Sequence, residues 1–135
     1  MPASLMLSLG PRALPARSGM SRGARKVAVI GAGNVGATCA FVLAQRNVGQ
    51  IVMLDIYEGF AKGKALDMSQ GGQVLNYDGK ISGTKDYSDI AGADVVVVTS
   101  GFPRMPGMSR EDLVGKNADI ISEVGAGIRD QLLTP

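Results

Sequence analysis

Three glycines stand in the spacing Gly31-x-Gly33-x-x-Gly36, directly after the β-rich apolar run Lys26-Val27-Ala28-Val29-Ile30. A strand, a sharp turn and a helix start in that order make a seat for a pyrophosphate. Gly31 permits the turn, Gly33 lets the backbone approach the anion with no side chain between, and Gly36 lets the helix pack close to the strand. The N–H groups of the first helical turn, at Asn34, Val35 and Gly36, then face the anion with the positive end of the helix behind them. No Gly-Lys-Ser/Thr ending follows, so this is not the phosphate loop of an ATPase.

Asp55 follows Gly31 by 24 residues and closes a second apolar run, Ile51-Val52-Met53-Leu54. A carboxylate there can accept hydrogen bonds from both hydroxyls of an adenosine ribose and would repel a 2'-phosphate, which favours NAD over NADP. Arg104 and Arg110 form a third constellation, six residues apart on a Pro/Gly-punctuated stretch. Two guanidinium forks can grip an anionic substrate bidentately, although solvated surface arginines would look the same in sequence. With no histidine and a single cysteine, Cys39, the usual soft ligands of a zinc site are missing.

The elements that must position these groups follow from periodicity. A helix is predicted from Asn34 to about Arg46, with Val35, Cys39, Val42 and Leu43 as its apolar face and Cys39 a buried small hydrophobe. Asn47 and Gly49 end it. The strand-helix-strand unit closing at Asp55 is expected to be parallel and right-handed. A second helix is predicted over about Gly59 to Ser69 and stopped by Gly71-Gly72. Short strands are then expected at Val74-Leu75 and Lys80-Ile81-Ser82. Asp94-Val95-Val96-Val97-Val98-Thr99 is a continuous β-branched run of the kind buried on both faces of a parallel sheet, and reads as a central strand. Ser109 offers a hydroxyl N-cap, with Asp112 at the reciprocal position of a capping box. Leu113, Ile120, Val124 and Ile128, flanked by Ile121 and Leu132, continue a long helix. The fold class is α/β, a Rossmann-type doubly wound parallel sheet.

Composition narrows the function classes. The chain has 135 residues, 45% hydrophobic and 19% charged, which suits one α/β domain with a genuine core. The net charge of +2 comes from the first 26 residues, which hold five basic groups and no acid; the remainder carries nine basic and twelve acidic side chains. Nucleic-acid binding, which rests on clustered cations, is therefore not expected, and no apolar run is long enough to span a membrane. Residues 1–24 read as an unstructured or targeting-like extension before a nucleotide-binding domain over 25–135. Pro2, Pro11 and Pro15 oppose one amphipathic helix there. A cytoplasmic location is expected, or the mitochondrial matrix if residues 1–19 are a transit segment.

The segments Gly31-Ala-Gly-Asn-Val-Gly36, Asp55-Ile-Tyr57, Gly63-Lys-Ala-Leu-Asp-Met68, Asp94-Val-Val-Val-Val-Thr-Ser-Gly101 and Phe102-Pro-Arg-Met-Pro-Gly-Met-Ser-Arg-Glu-Asp-Leu113 together resemble the malate dehydrogenases of the lactate-dehydrogenase-like type. The resemblance spans about Arg25 to Thr134. It implies NAD as cofactor, malate and oxaloacetate as substrates, and a homo-oligomer using the second and the long helix. By the same resemblance Arg104 binds the distal substrate carboxylate, where lactate dehydrogenases have glutamine, and Arg110 polarises the reacting carbonyl. Thr99, Gly101 and Asn117 join Gly31, Gly33, Asn34, Val35, Gly36 and Asp55 as cofactor contacts. The chain departs from the family at Met105, commonly lysine, and at Ser100, commonly alanine. The family's proton-transferring His-Asp pair has no counterpart here, so the chain is expected to stop before the catalytic domain and to be inactive alone. Two other readings stay open: a lactate or other 2-hydroxy-acid dehydrogenase, and a non-catalytic NAD-binding module.

Overall fold

The computed structural model of the protein describes residues 25–133; the extension expected over residues 1–24 lies outside them. Four strands alternate with helices: β1 (Lys26–Ile30), α1 (Asn34–Gln45), β2 (Gln50–Leu54), α2 (Glu58–Leu75), β3 (Ile81–Thr84), β4 (Val95–Val98) and α3 (Arg110–Leu132), with a 3₁₀ turn at Tyr87–Ile90 before β4. All pairings are parallel and the order is β3-β2-β1-β4. The chain winds outward from β1 to β3, then crosses back to place β4 on the other side of β1. In a Rossmann-like sheet, ligands bind where the strand order reverses, outside the carboxyl ends of the strands. Here that point lies between β1 and β4.

Alternate strand residues serve opposite faces, as the pleat requires. Val27, Val29, Ile51 and Met53 pack under α1 and α2, on Ala37, Ala40, Ala44, Ala65 and Tyr77. Ala28, Ile30, Val52 and Leu54 face Ile90 of the 3₁₀ turn and Val124 of α3. Fully burying a side chain the size of Ile51 or Met53 contributes about 1.5–3 kcal/mol, so the two centre strands carry most of the apolar stabilisation. The predicted start of α3 is present: the Ser109 hydroxyl accepts from the Asp112 N–H at 3.0 Å, and the Asp112 carboxylate accepts from the Ser109 N–H at 3.2 Å. Hydrogen bonding of its carboxyl to the Ser109 side chain, and then to the Ser109 backbone N–H, holds Asp112 below its ordinary pKa.

Three local expectations are corrected. The buried face of α1 is Gly36, Ala37, Ala40 and Ala44, not the Val35, Cys39, Val42, Leu43 stripe. Val35 is 71% exposed, Val42 is exposed, and Cys39 is only half-buried. Small residues win because they let the helix axis approach the sheet, and the larger Phe41 and Leu43 pack at its flanks.

Gly71-Gly72 does not stop α2, which continues to Leu75 and removes the strand expected at Val74-Leu75. Glycine weakens a helix by about 1 kcal/mol relative to alanine, but here it makes room for Tyr77. A Cβ on Gly72 would stand 2.7 Å from the Tyr77 carbonyl oxygen and 3.3 Å from its ring. Tyr77 is buried edge-on against Phe41 and donates its hydroxyl to the Met68 carbonyl. The helix ends at Asn76, in the left-handed conformation (φ 56°, ψ 48°) that asparagine tolerates.

Finally, β4 is an edge strand among the described residues rather than a central one, with Val95 53% and Val98 40% exposed.

The close packing of α2 on β3 gives a test. A Cβ on Gly83 would run into the Ala61 backbone, whereas one on Gly125 of α3 meets nothing within 4 Å. Gly83→Ala should lose about 1–3 kcal/mol of stability through overpacking, and Gly125→Ala should gain about 0.5–1 kcal/mol. Thermal melting of both variants checks this, and equal shifts would contradict the packing.

Candidate functional site

The turn between β1 and α1 is built on exclusion of side chains. Gly31 has φ +100°, a conformation that side-chain-bearing residues rarely adopt, and a Cβ there would lie 2.8 Å from Thr99 Oγ1. A Cβ on Gly36 would run into the Gly31 carbonyl oxygen and stand 2.6 Å from Thr99 Oγ1. Gly33 differs, since a Cβ on it would meet nothing within 4 Å. It is the N-cap of α1, has no side-chain cap, and no acidic residue follows in the first turn. The opening N–H groups of α1 thus lack a side-chain acceptor, and an anion is the partner they favour. Asn34 and Val35 are exposed beside them.

Asp55 stands at the carboxyl end of β2. Its Oδ2 accepts from the Ala32 N–H at 2.8 Å, which ties it to the glycine turn, and its Oδ1 accepts from the Tyr57 N–H at 3.0 Å. A carboxylate has about four lone-pair sites, so two amide bonds leave capacity for the two hydroxyls of a ribose. Thr99, at the end of β4, donates its hydroxyl toward the carbonyls of Ile30 (3.2 Å) and Gly31 (3.0 Å). Gly31, Gly36, Asp55 and Thr99 are thereby gathered around one turn.

The other predicted residues sit farther along the loop after β4. Asn117, on α3, accepts the Phe102 N–H with its Oδ1 at 2.6 Å, and a Cβ on Gly101 would lie 3.4 Å from that oxygen. Lys116 Nζ stands 4.6 Å over the Phe102 ring. Asn117 therefore fixes the first part of the loop to α3. Arg104 is exposed and its Nε donates to the Met108 carbonyl at 3.3 Å, across a turn in which Gly107 has φ +83°. Arg110 begins α3 and is also exposed. Neither arginine is ion-paired among the described residues, and neither touches the glycine turn.

Sequence reasoning missed two features. One is the Ala32 amide as a ligand of Asp55; the other is the reach of the Thr99 hydroxyl beneath Gly31. Both contacts bridge residues far apart in sequence, 23 and 68 positions respectively, so no local pattern signals them. Among the described residues no cluster of His, Cys, Asp and Glu could hold a metal ion, and no helix is long and apolar enough to cross a membrane.

The donor set suits a dinucleotide: uncapped amides at a helix start, an open position at Gly33, and a carboxylate one strand away. Comparison with known proteins agrees. Residues 25–132 match the family model described as lactate/malate dehydrogenase, NAD binding domain. A malate dehydrogenase of Ehrlichia canis is 52% identical over 104 residues, covering 77% of this chain and 33% of that protein. The apo structure of the malate dehydrogenase from Picrophilus torridus superposes with a TM-score of 0.77 at 46% identity, over 81% of this chain and 35% of that one. The Cryptosporidium parvum lactate dehydrogenase, solved with lactic acid and nicotinamide adenine dinucleotide, gives 0.75 at 37% identity, over 82% and 35%. The chain thus spans about a third of the length of these relatives.

The geometry separates the glycines by role. Gly33→Val should leave the melting temperature nearly unchanged, because its side chain enters open space, yet weaken NAD binding by about tenfold or more by standing where the anion approaches. Gly36→Val should lose both stability and binding. Calorimetric titration with NAD alongside thermal melting distinguishes them, and full retention of NAD affinity in Gly33→Val would contradict the site.

Proposed function

Because this chain belongs to the lactate/malate dehydrogenase family, whose NAD-binding portion it carries, we propose that it is the N-terminal part of an NAD-dependent malate dehydrogenase that interconverts (S)-malate and oxaloacetate. NAD, when bound, supplies the acceptor for the hydride that malate gives up. The residues of this chain bind and orient. The amides after Gly33 hold the pyrophosphate, Asp55 holds the adenosine ribose, and Gly101 with Asn117 shapes the floor of the loop beside the cofactor. Proton transfer falls to residues outside these 135, which contain no histidine.

One observation carries the choice of malate. Arg104 stands exposed and, among the described residues, without an ion pair on the loop that leaves β4 at the switch point. The chain is similar to malate and lactate dehydrogenases alike, so substrate choice rests on this position. A guanidinium there meets a second carboxylate bidentately, while pyruvate offers only a methyl group. Arg110, at the start of α3, acts on the carbonyl that both substrates share.

Association into a homo-oligomer belongs to the same proposal. Phe60, Leu66 and Val74 on α2 and Ile121 on α3 are exposed apolar side chains, and such surface is stabilised by a partner subunit. Sedimentation of the complete protein should show at least a dimer at micromolar concentration, and a monomer alone would contradict this part.

In the complete enzyme, Arg104→Gln should shift the ratio of kcat/KM for oxaloacetate over pyruvate toward pyruvate by about 1–3 kcal/mol, the worth of a charged hydrogen bond. Arg110→Gln should instead depress both substrates. An unchanged ratio in Arg104→Gln would remove Arg104 as the residue that selects the substrate.

A further inference from the structure

The glycine turn contains one peptide unit, between Gly31 and Ala32, that is held at both ends by side chains from different strands. Its N–H donates to Asp55 Oδ2 at 2.8 Å, from the carboxyl end of β2. Its carbonyl accepts the Thr99 hydroxyl at 3.0 Å, from the carboxyl end of β4. The Ile30 carbonyl, the hydroxyl's other neighbour at 3.2 Å, already accepts the Thr99 backbone N–H at 2.8 Å, so the Gly31 carbonyl is the hydroxyl's better acceptor.

A peptide unit is planar, so fixing its oxygen and its N–H fixes its whole orientation. That matters here because Gly31, at φ +100°, is free of the steric walls that hold other residues in place. Without the two grips the plane could rotate about its flanking bonds. It would then redirect Ala32 and Gly33, the residues that lead into the uncapped amides of α1. Close packing does not replace the grip: Gly31 and Gly36 leave no room beside Thr99 Oγ1, but no backbone N–H among the described residues donates to the Gly31 oxygen.

We propose that Thr99 is a positioning residue for the pyrophosphate, acting through the Gly31–Ala32 peptide, which its hydroxyl and the Asp55 carboxylate clamp from opposite sides. Thr99 thus serves the cofactor from beneath the turn. Asp55 has two duties, accepting the ribose and aligning the turn. The proposal rests on the nucleotide site described above and adds how its geometry is held.

The test uses the complete protein and two probes, ADP-ribose, which carries the pyrophosphate, and adenosine, which does not. Thr99→Val keeps the shape and removes the donor. It should weaken ADP-ribose by about three- to tenfold, the worth of one hydrogen bond, while adenosine, measured in competition, keeps its affinity. Thr99→Ser, which restores the hydroxyl, should restore ADP-ribose binding. Should Thr99→Val fail to fold, Thr99→Ala removes the same donor without new bulk and is read the same way. Combining Thr99→Val with Asp55→Ala should cost less than the two losses multiplied, because each releases the same peptide. Unchanged ADP-ribose affinity, equal losses for both probes, or strictly multiplicative losses in the double variant would each overturn the clamp. Failure of the unsubstituted protein to bind ADP-ribose would overturn the nucleotide site along with it.

Discussion

The structure depends on the absence of side-chain atoms between α1 and the end of β1. The Gly36 backbone lies so close to the Gly31 carbonyl that a single Cβ would not fit, and Thr99 occupies what space remains. From this close approach follows the position of α1, with its seam of Ala37, Ala40 and Ala44 against Val27 and Val29. The same approach aims the uncapped start of α1 at the crevice beside β4. Binding and packing are thus set by one short-range repulsion, and neither can be altered there without the other.

The strands supply the second layer of control. Because β1, β2 and β4 are parallel, their carboxyl ends meet at one edge of the sheet, bringing the glycine turn, Asp55 and Thr99 together although 68 residues separate the first from the last. The loop that follows β4 is then tied back to α3 at Phe102 by Asn117, and reaches α3 again through the Ser109–Asp112 box. Between those two anchors Arg104 is exposed and its guanidinium is not neutralised by a carboxylate among the described residues. The scaffold is fixed at both ends of a segment whose charged group faces solvent, an arrangement suited to meeting an anion.

What the sequence made legible was local. The apolar run of β1, the spacing of Gly31, Gly33 and Gly36, Asp55 at the close of β2, and the Ser109–Asp112 box all depend on residues within a turn or two of one another. The misreadings share a physical origin in tertiary packing. Apolar periodicity selected Val35 and Val42 for the buried side of α1, because it measures hydrophobicity, whereas the sheet required small volume. Gly71-Gly72 looked like a helix stop because the reason for glycine at Gly72, the ring and carbonyl of Tyr77, is a packing contact that helix propensity does not represent. The valine run of β4 suggested burial on both faces, whereas among the described residues β4 pairs on one side only, with β1. The reach of Thr99 to Gly31 had no sequence signal at all.

The placement of an adenine dinucleotide on the turn after β1, with its ribose on Asp55, is tested most directly by amide chemical shifts. Titrating the isotopically labelled protein with NAD should move the resonances of Gly33, Asn34, Val35 and Gly36 most, together with those around Asp55, and leave those of the far side of α2, at Gln70 and Gln73, in place. Saturable shifts centred elsewhere, with the Gly33–Gly36 amides unmoved, would contradict the account.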